Sequence, residues 1–147
     1  MQELHPIGLS EESRSKIEGV DPRFIREGIL KAREQSWKVL AEIQKEIKEG
    51  ITEAEGRALA KTIFADHGVK KHWHQPQIRF AAGTVLTFNE PFQPDYRLQP
   101  NDGCYMDLGP VWMDEETGLE YEGDVGDGFV FGENEEAQKC IDLTRLL

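Results

Sequence analysis

Apolar residues recur at helical spacing along the first ordered stretch of the chain, at Ile25, Ile29, Ala32, Leu40, Ile43 and Ile47. Asp21 followed by Pro22 supplies an N-cap acceptor and a residue with a preset φ, and Gly50 marks the stop. A second helix is predicted at once: Thr52 and Glu55 form a capping box, and Leu59, Ile63 and Phe64 give an apolar stripe that ends near Gly68. Beyond Gly68 the period falls to two, with Gly, Pro, Asn and Asp punctuating β-forming runs. Strands are predicted at Gln77–Ala81, Thr84–Phe88, Gly103–Val111 and Glu120–Phe131, the last open to interruption at its glycines. A final helix from about Glu133 has acids in its first turn and Arg145 near its end, with Leu143, Leu146 and Leu147 as an uncovered stripe. Residues 1–20 are polar and aperiodic, which predicts a mobile or loosely docked arm. Residues 21–147 predict one α+β unit in which N-terminal helices pack on a curved, mainly antiparallel sheet.

Charge narrows the partners. Lys and Arg total 17 against 28 Asp and Glu, a balance of -11 that disfavours nucleic acid and anionic membranes and favours cations. No apolar run approaches the roughly 20 residues of a bilayer span, and Met1–Ser10 lacks a signal-type core, so a cytoplasmic location is expected. Cys104 and Cys140 are too few for a disulfide framework or zinc knuckle and read as reduced thiols.

The richest stretch is Gly103–Gly132, which reads as a β-hairpin. A turn centred between Glu115 and Glu116 pairs Met106 with Val125, Leu108 with Gly123, and Asp107 directly with Asp124. Directly opposed side chains lie roughly 4.5–5.5 Å apart at Cβ, where like charges repel unless a proton or cation intervenes. Carboxylates without cysteine suit harder or borderline divalent ions, and two such ions can polarise a carbonyl and generate hydroxide near neutral pH. The bland alternative is that Asp107 and Asp124 are solvated hairpin acids. In the same register Asp127 faces Cys104 on the core side, unless a bulge at Gly126 or Gly128 turns it into an extra ligand. His72 and His74 flank Trp73 and share one face if extended, a spacing that fits a pocket wall, an anionic substrate or a metal. His5 falls in the arm and His67 at a helix end, where the dipole accounts for it. Trp37, Trp73 and Trp112 suit burial in a core or interface, or an aromatic wall.

Four stretches, G-I-T-E-A-E at Gly50–Glu55, H-W-H-Q-P-Q-I at His72–Ile78, M-D-L-G at Met106–Gly109 and Y-E-G-D-V-G-D-G-F-V-F-G at Tyr121–Gly132, resemble in order and spacing the pita-bread metallopeptidases. That group holds methionine aminopeptidase, Xaa-Pro aminopeptidase, prolidase and creatinase. The resemblance, which runs from Asp21 to Leu147, implies the N-terminal half of a pita-bread fold. It also implies a metal-dependent aminopeptidase P or prolidase type of hydrolase acting on peptides or small molecules. By the same resemblance Asp107 and Asp124 are metal ligands, the second bridging two ions of Mn, Co, Zn or Fe type. The chain departs from the family in four ways. The family's histidine and two glutamate ligands and its general-base glutamate belong to a second half that does not follow Leu147. Phe88, Asn89 and Glu90 stand where a substrate-contacting histidine is usual, and Asp127 and Gly128 where arginine and threonine are common. The M-D-E-E-T-G hairpin loop is longer than the family's usual one. The expectation is a domain inactive alone that awaits a complementing half. The alternative is a non-catalytic binding or dimerisation module whose exposed leucines pair two copies.

Overall fold

The structure is a computed structural model that describes residues 25–87 and 89–146. The predicted arm, the Asp21–Pro22 cap, His5, Phe88 and Leu147 therefore lie outside the described residues. Helix α1 spans Arg26–Glu46 and α2 spans Glu53–Asp66. The strands are β1 (Lys71–His72), β2 (Gln77–Phe80), β3 (Asp102–Leu108), β4 (Pro110–Met113), β5 (Glu120–Glu122) and β6 (Val125–Phe131), and helix α3 (Glu135–Thr144) follows. All pairings are antiparallel, in two three-stranded sheets ordered β1-β4-β5 and β2-β3-β6. The predicted α+β layering holds.

The capping box is as read: Glu55 N donates to Thr52 Oγ1 at 3.1 Å and Thr52 N to Glu55 Oε2 at 2.8 Å. The buried face of α1 is Gly28, Ala32, Ser36, Val39, Leu40 and Ile43, whereas Ile25 and Ile29 of the predicted stripe are exposed. Small residues at four-residue spacing decide this, because they let the helix lie against bulky groups of the sheet. A Cβ on Gly28 would meet Tyr121 Cζ at 2.2 Å, and Ser36 Oγ accepts a 2.8 Å bond from the buried Trp112 Nε1. A Cβ on Gly123 would fall 1.9 Å from that Ser36 oxygen and 2.9 Å from Trp112 Nε1. Gly123→Ala is therefore expected to lower unfolding free energy by about 1–3 kcal/mol, read as a lower denaturant midpoint at unchanged slope.

Three predicted strands change. Residues Ala81–Val85 form a 3-10 turn in place of a strand from Thr84, with Ala81 at φ 45 and Thr84 Oγ1 donating to the Ala81 carbonyl at 2.7 Å. The long hairpin arms each break once, after Leu108 and after Glu122. The three tryptophans form no single wall: Trp112 is buried, Trp73 is 53% exposed and Trp37 lies at the surface. His67 ends α2 but is held by the Glu42 carboxylate of α1 at 2.7 Å rather than by the dipole alone. The two thiols also part company. Cys104 is buried and its thiol is pushed up to about 12 by that burial and then by Asp102, while Cys140 is exposed. One thiol per folded chain should react with a maleimide at neutral pH, and two after denaturation; rapid double labelling of the folded chain would contradict this packing.

Candidate metal centre

The hairpin register differs from the predicted one by two residues. Leu108 pairs with Val125, Asp107 with Gly126 and Met106 with Asp127, and beyond the break Val111 pairs with Glu122 and Trp112 with Tyr121. The cause is the turn. Asp114 Oδ1 accepts from Glu116 N, Thr117 N and Thr117 Oγ1 at 3.0, 2.9 and 3.0 Å, and Gly118 takes φ +71. This side-chain-capped turn moves the hairpin centre one residue later, to between Glu116 and Thr117. A centre moved by one residue shifts every pair by two and so keeps side-chain parity. Asp107 and Asp124 therefore still share a face, but diagonally and not directly opposed. Each faces a glycine: Asp107 faces Gly126, and the register carried through the break, where Gly123 N donates to the Pro110 carbonyl at 2.9 Å, sets Asp124 against Gly109.

Gly109 also admits a third residue. After β1 the chain turns, tied by Trp73 N donating to the Gly109 carbonyl at 3.0 Å, and packs Trp73 and His74 over that glycine. A Cβ there would meet His74 Cδ2 and Trp73 Nε1, each at 2.6 Å. His74 is buried, with Nε2 3.4 Å from Asp107 Oδ1. One ligand atom each from His74, Asp107 and Asp124 lies within 4.8 Å of the others. The Gln75 carbonyl, which can only accept, lies 2.9 Å from His74 Nδ1. That bond places a hydrogen on Nδ1 and turns Nε2 toward Asp107, the arrangement that ligating imidazoles adopt. The donor set, one imidazole nitrogen and two carboxylates, suits a borderline divalent ion. Bonds of roughly 2.0–2.2 Å need ligand atoms about 3–3.5 Å apart, so the 3.4 Å pair already fits and Asp124 needs only a small approach.

The electrostatics agree. Asp107 is half-buried and its carboxyl is raised, first by burial, with His74 opposing and nearby Asp124 adding to the rise. The Tyr105 hydroxyl is raised too, by burial and then by both aspartates. The other candidates are placed elsewhere. His72 pairs across the sheet with Pro110, and because β1 ends there it does not share a strand face with His74. Asp127 is opposite Met106, not Cys104, and its carboxylate is taken by Arg145, the C-cap of α3, with Nε to Oδ1 at 3.0 Å and Nη2 to Oδ2 at 2.7 Å. No bulge turns it toward the triad.

The model of metallopeptidase family M24 matches residues 27–146. The chain belongs to this family. Solved structures of M24-like shape agree: X-Pro aminopeptidase from Thermotoga maritima is 21% identical with TM-score 0.63, covering 77% of this chain and 30% of that one. Prolidase from Pyrococcus furiosus is 24% identical with TM-score 0.61, covering 76% and 31%. Prolidase from Thermococcus sibiricus is 21% identical with TM-score 0.59, covering 74% and 28%. At these identities the likeness shows the fold, here part of a pita-bread fold, and the chain spans less than a third of each structure. No curated protein matches the chain. Among the described residues no helix is long and apolar enough to cross a membrane.

Local spacing does not single out His74 as a ligand, because its proximity to Asp107 depends on the turn after β1. Nor does it mark Glu53, a buried acid next to the capping threonine, whose Oε1 accepts from Phe80 N at 2.9 Å and Oε2 from Gln93 N at 2.6 Å. Its one visible signal was a first-turn acid, which most helices carry at the surface.

Proposed function

We propose that this M24 chain supplies Asp107, Asp124 and His74 to a divalent-metal site of peptidase type, with peptides as substrates. The observation that supports the reading is the convergence of the three ligand atoms, with the imidazole tautomer set by the Gln75 carbonyl. The chemistry a bound ion supplies there is Lewis-acid polarisation of a peptide carbonyl. The protein's own part is positional. Gln75 and the Gly109 cradle hold His74 in place, and Gly126 opposite Asp107 adds no side chain to that face. Members of the family are named as metallopeptidases, and the structural neighbours are titled prolidase and X-Pro aminopeptidase. The metal is Mn, Co, Zn or Fe, the complete site holds two ions, and the compartment is the cytoplasm. With no general base assigned among the described residues, the chain alone binds the ion without turning over peptides. Equilibrium dialysis at neutral pH should show uptake of at least one of these ions, together with no hydrolysis of dipeptides with proline or methionine at the cleaved bond. No uptake of any of the four ions would sink the metal reading, and rapid turnover would sink the inactivity.

A second reading, a non-catalytic module that pairs with another copy or a complementing half, is favoured by one observation. Leu143 and Leu146 at the end of α3 are 63% and 81% exposed, beside a recess of about 1010 Å3 that includes Trp37, Val85 and Ile141. Sedimentation should then show a dimer that Leu143→Asp dissolves.

A further inference from the structure

Helix α3 rests on the sheet face that carries the aspartates. Gly103, Tyr105 and Asp107 point to one face of β3, and their partners Val130, Gly128 and Gly126 on β6 share it. Two of these glycines form the seat of the helix. A Cβ on Gly103 would lie 3.8 Å from Ala137 Cβ, and one on Gly128 would lie 3.1 Å from Ile141 Cγ1. Ala137 and Ile141 are four residues apart, so one stripe of α3 is laid on a glycine track. The helix stops short of Gly126, which is exposed opposite Asp107. It therefore fills the strip of this face that runs on from the aspartates.

The seat is shallow. No residue of α3 is buried, whereas α1 buries six and α2 five. A recess of about 1010 Å3 separates Ile141 and Thr144 of the helix from Trp37, Val85 and Tyr105, so little dispersion or apolar burial holds this side down. Polar contacts at the two ends hold it instead, and the ends differ in kind. At the start, Gly132 turns the chain at φ +104, Glu133 N donates to Asn101 Oδ1 at 2.8 Å, and Asn134 Nδ2 donates to the Asn101 carbonyl at 3.0 Å. Asn134 Oδ1 in turn caps the helix by accepting from Ala137 N at 3.0 Å. At the far end the C-cap Arg145 clasps β6, with its fork on Asp127 and Nη2 also donating to the Gly128 carbonyl at 3.0 Å. The Arg145 side chain is 47% exposed, so water can replace this clasp without any part of the core opening.

We propose that α3 is a latch: it pivots about Gly132, opens as a unit when Arg145 leaves Asp127, and while closed keeps the chain's own helix over the strip beside Asp107. A second polypeptide can lie along that strip only with the latch open. Such opening is a local event whose free energy lies well below that of global unfolding. The latch rests on the contacts of α3 alone, and neither the metal reading nor the pairing of copies enters it.

The test uses the full chain with EDTA present and hydrogen exchange read by mass spectrometry. Exchange over Glu135–Thr144 should run at least about 100-fold faster than over Asp102–Leu108 of β3. Arg145→Gln should speed α3 by about tenfold more and leave α2 and β3 unchanged. A second variant, Gly103→Cys with Ala137→Cys in a Cys140→Ser background, sets two Cβ atoms 3.8 Å apart, the usual spacing across a disulfide. Oxidation should join them in the folded chain and slow exchange of α3 by at least about tenfold, and reductant should restore it. The latch is overturned if α3 exchanges as slowly as β3, or if Arg145→Gln leaves α3 unchanged or speeds all three elements alike. It is equally overturned if the two cysteines of a folded chain fail to join, or join without slowing α3. Because metal is withheld, a chain that takes up no ion can still show the latch, and a chain with normal metal uptake can lose this inference alone.

Discussion

Replacing Glu53 with alanine should lower the unfolding free energy by about 3–5 kcal/mol. Glu53 has no exposed surface, and its two oxygens reach 27 residues forward to Phe80 N and 40 residues forward to Gln93 N. Its own backbone N donates to the Tyr96 carbonyl at 3.3 Å, so one residue of α2 fastens the end of β2 and the segment before β3. Truncation removes two charge-assisted bonds, leaves the Phe80 N–H without its acceptor in the interior, and opens a void facing Gly83, whose added Cβ would lie 2.7 Å from Oε1. It also takes away the negative charge that the Arg57 guanidinium senses. For a chain of this length the loss corresponds to a melting temperature lower by roughly 6–20 °C. Glu53→Gln keeps one acceptor oxygen and should lose less. If the alanine variant melts within about 2 °C of the parent, Glu53 is not the fastening described.

The second large effect concerns Asp107 and Asp124 and has opposite signs with and without metal. In metal-free protein the Asp107 carboxyl sits above the ordinary carboxylate range because burial disfavours its charge and Asp124 repels it, with His74 offsetting part. An acid raised in the folded state binds its proton more tightly there than in the unfolded chain. Ionising it therefore costs stability as pH rises from the unfolded value through the folded one. Asp107→Asn removes that cost, so the metal-free variant should melt higher than the parent at neutral pH, and the gap should close as pH falls to the unfolded carboxylate range. With metal the order reverses. An ion at one hundred times its dissociation constant stabilises the parent by about 2.7 kcal/mol. Losing a carboxylate ligand by Asp107→Asn or Asp124→Asn should weaken affinity by at least about 100-fold and so erase nearly all of that gain. Differential scanning calorimetry with EDTA and with Mn or Zn reads both signs. A metal-induced rise that survives Asp124→Asn would place the ion elsewhere.

The capping box at Thr52 and Glu55, the position of α2, and the switch to period two after Gly68 were legible in the sequence because they are local, whereas α1 starts at Arg26 after an extended Ile25 and not at the Asp21–Pro22 pair. The shared face of Asp107 and Asp124 was legible for a less obvious reason. The turn was misplaced by one residue, since Asp114 and Gly118 cap it later than the D-E-E-T-G composition suggests. That error preserves parity, so the two acids stayed together while every named partner changed. Asp127 could not be read in this way. Its fate depends on Arg145, which lies 18 residues along the chain at the end of a helix that returns to pack beside β6.

By itself, the sequence determined the α+β order, the family, and the two carboxylates on one hairpin face, because periodicity, caps and strand parity are properties of neighbouring residues. Tertiary structure decided the rest of the site. It brought His74 to Asp107 over a glycine with no side chain in the way, buried Glu53 as a two-oxygen acceptor for distant backbone, and seated Ala137 of α3 over Gly103. Each of these depends on which segments meet across 27 or more residues, and burial and hydrogen-bond satisfaction are fixed only at that meeting.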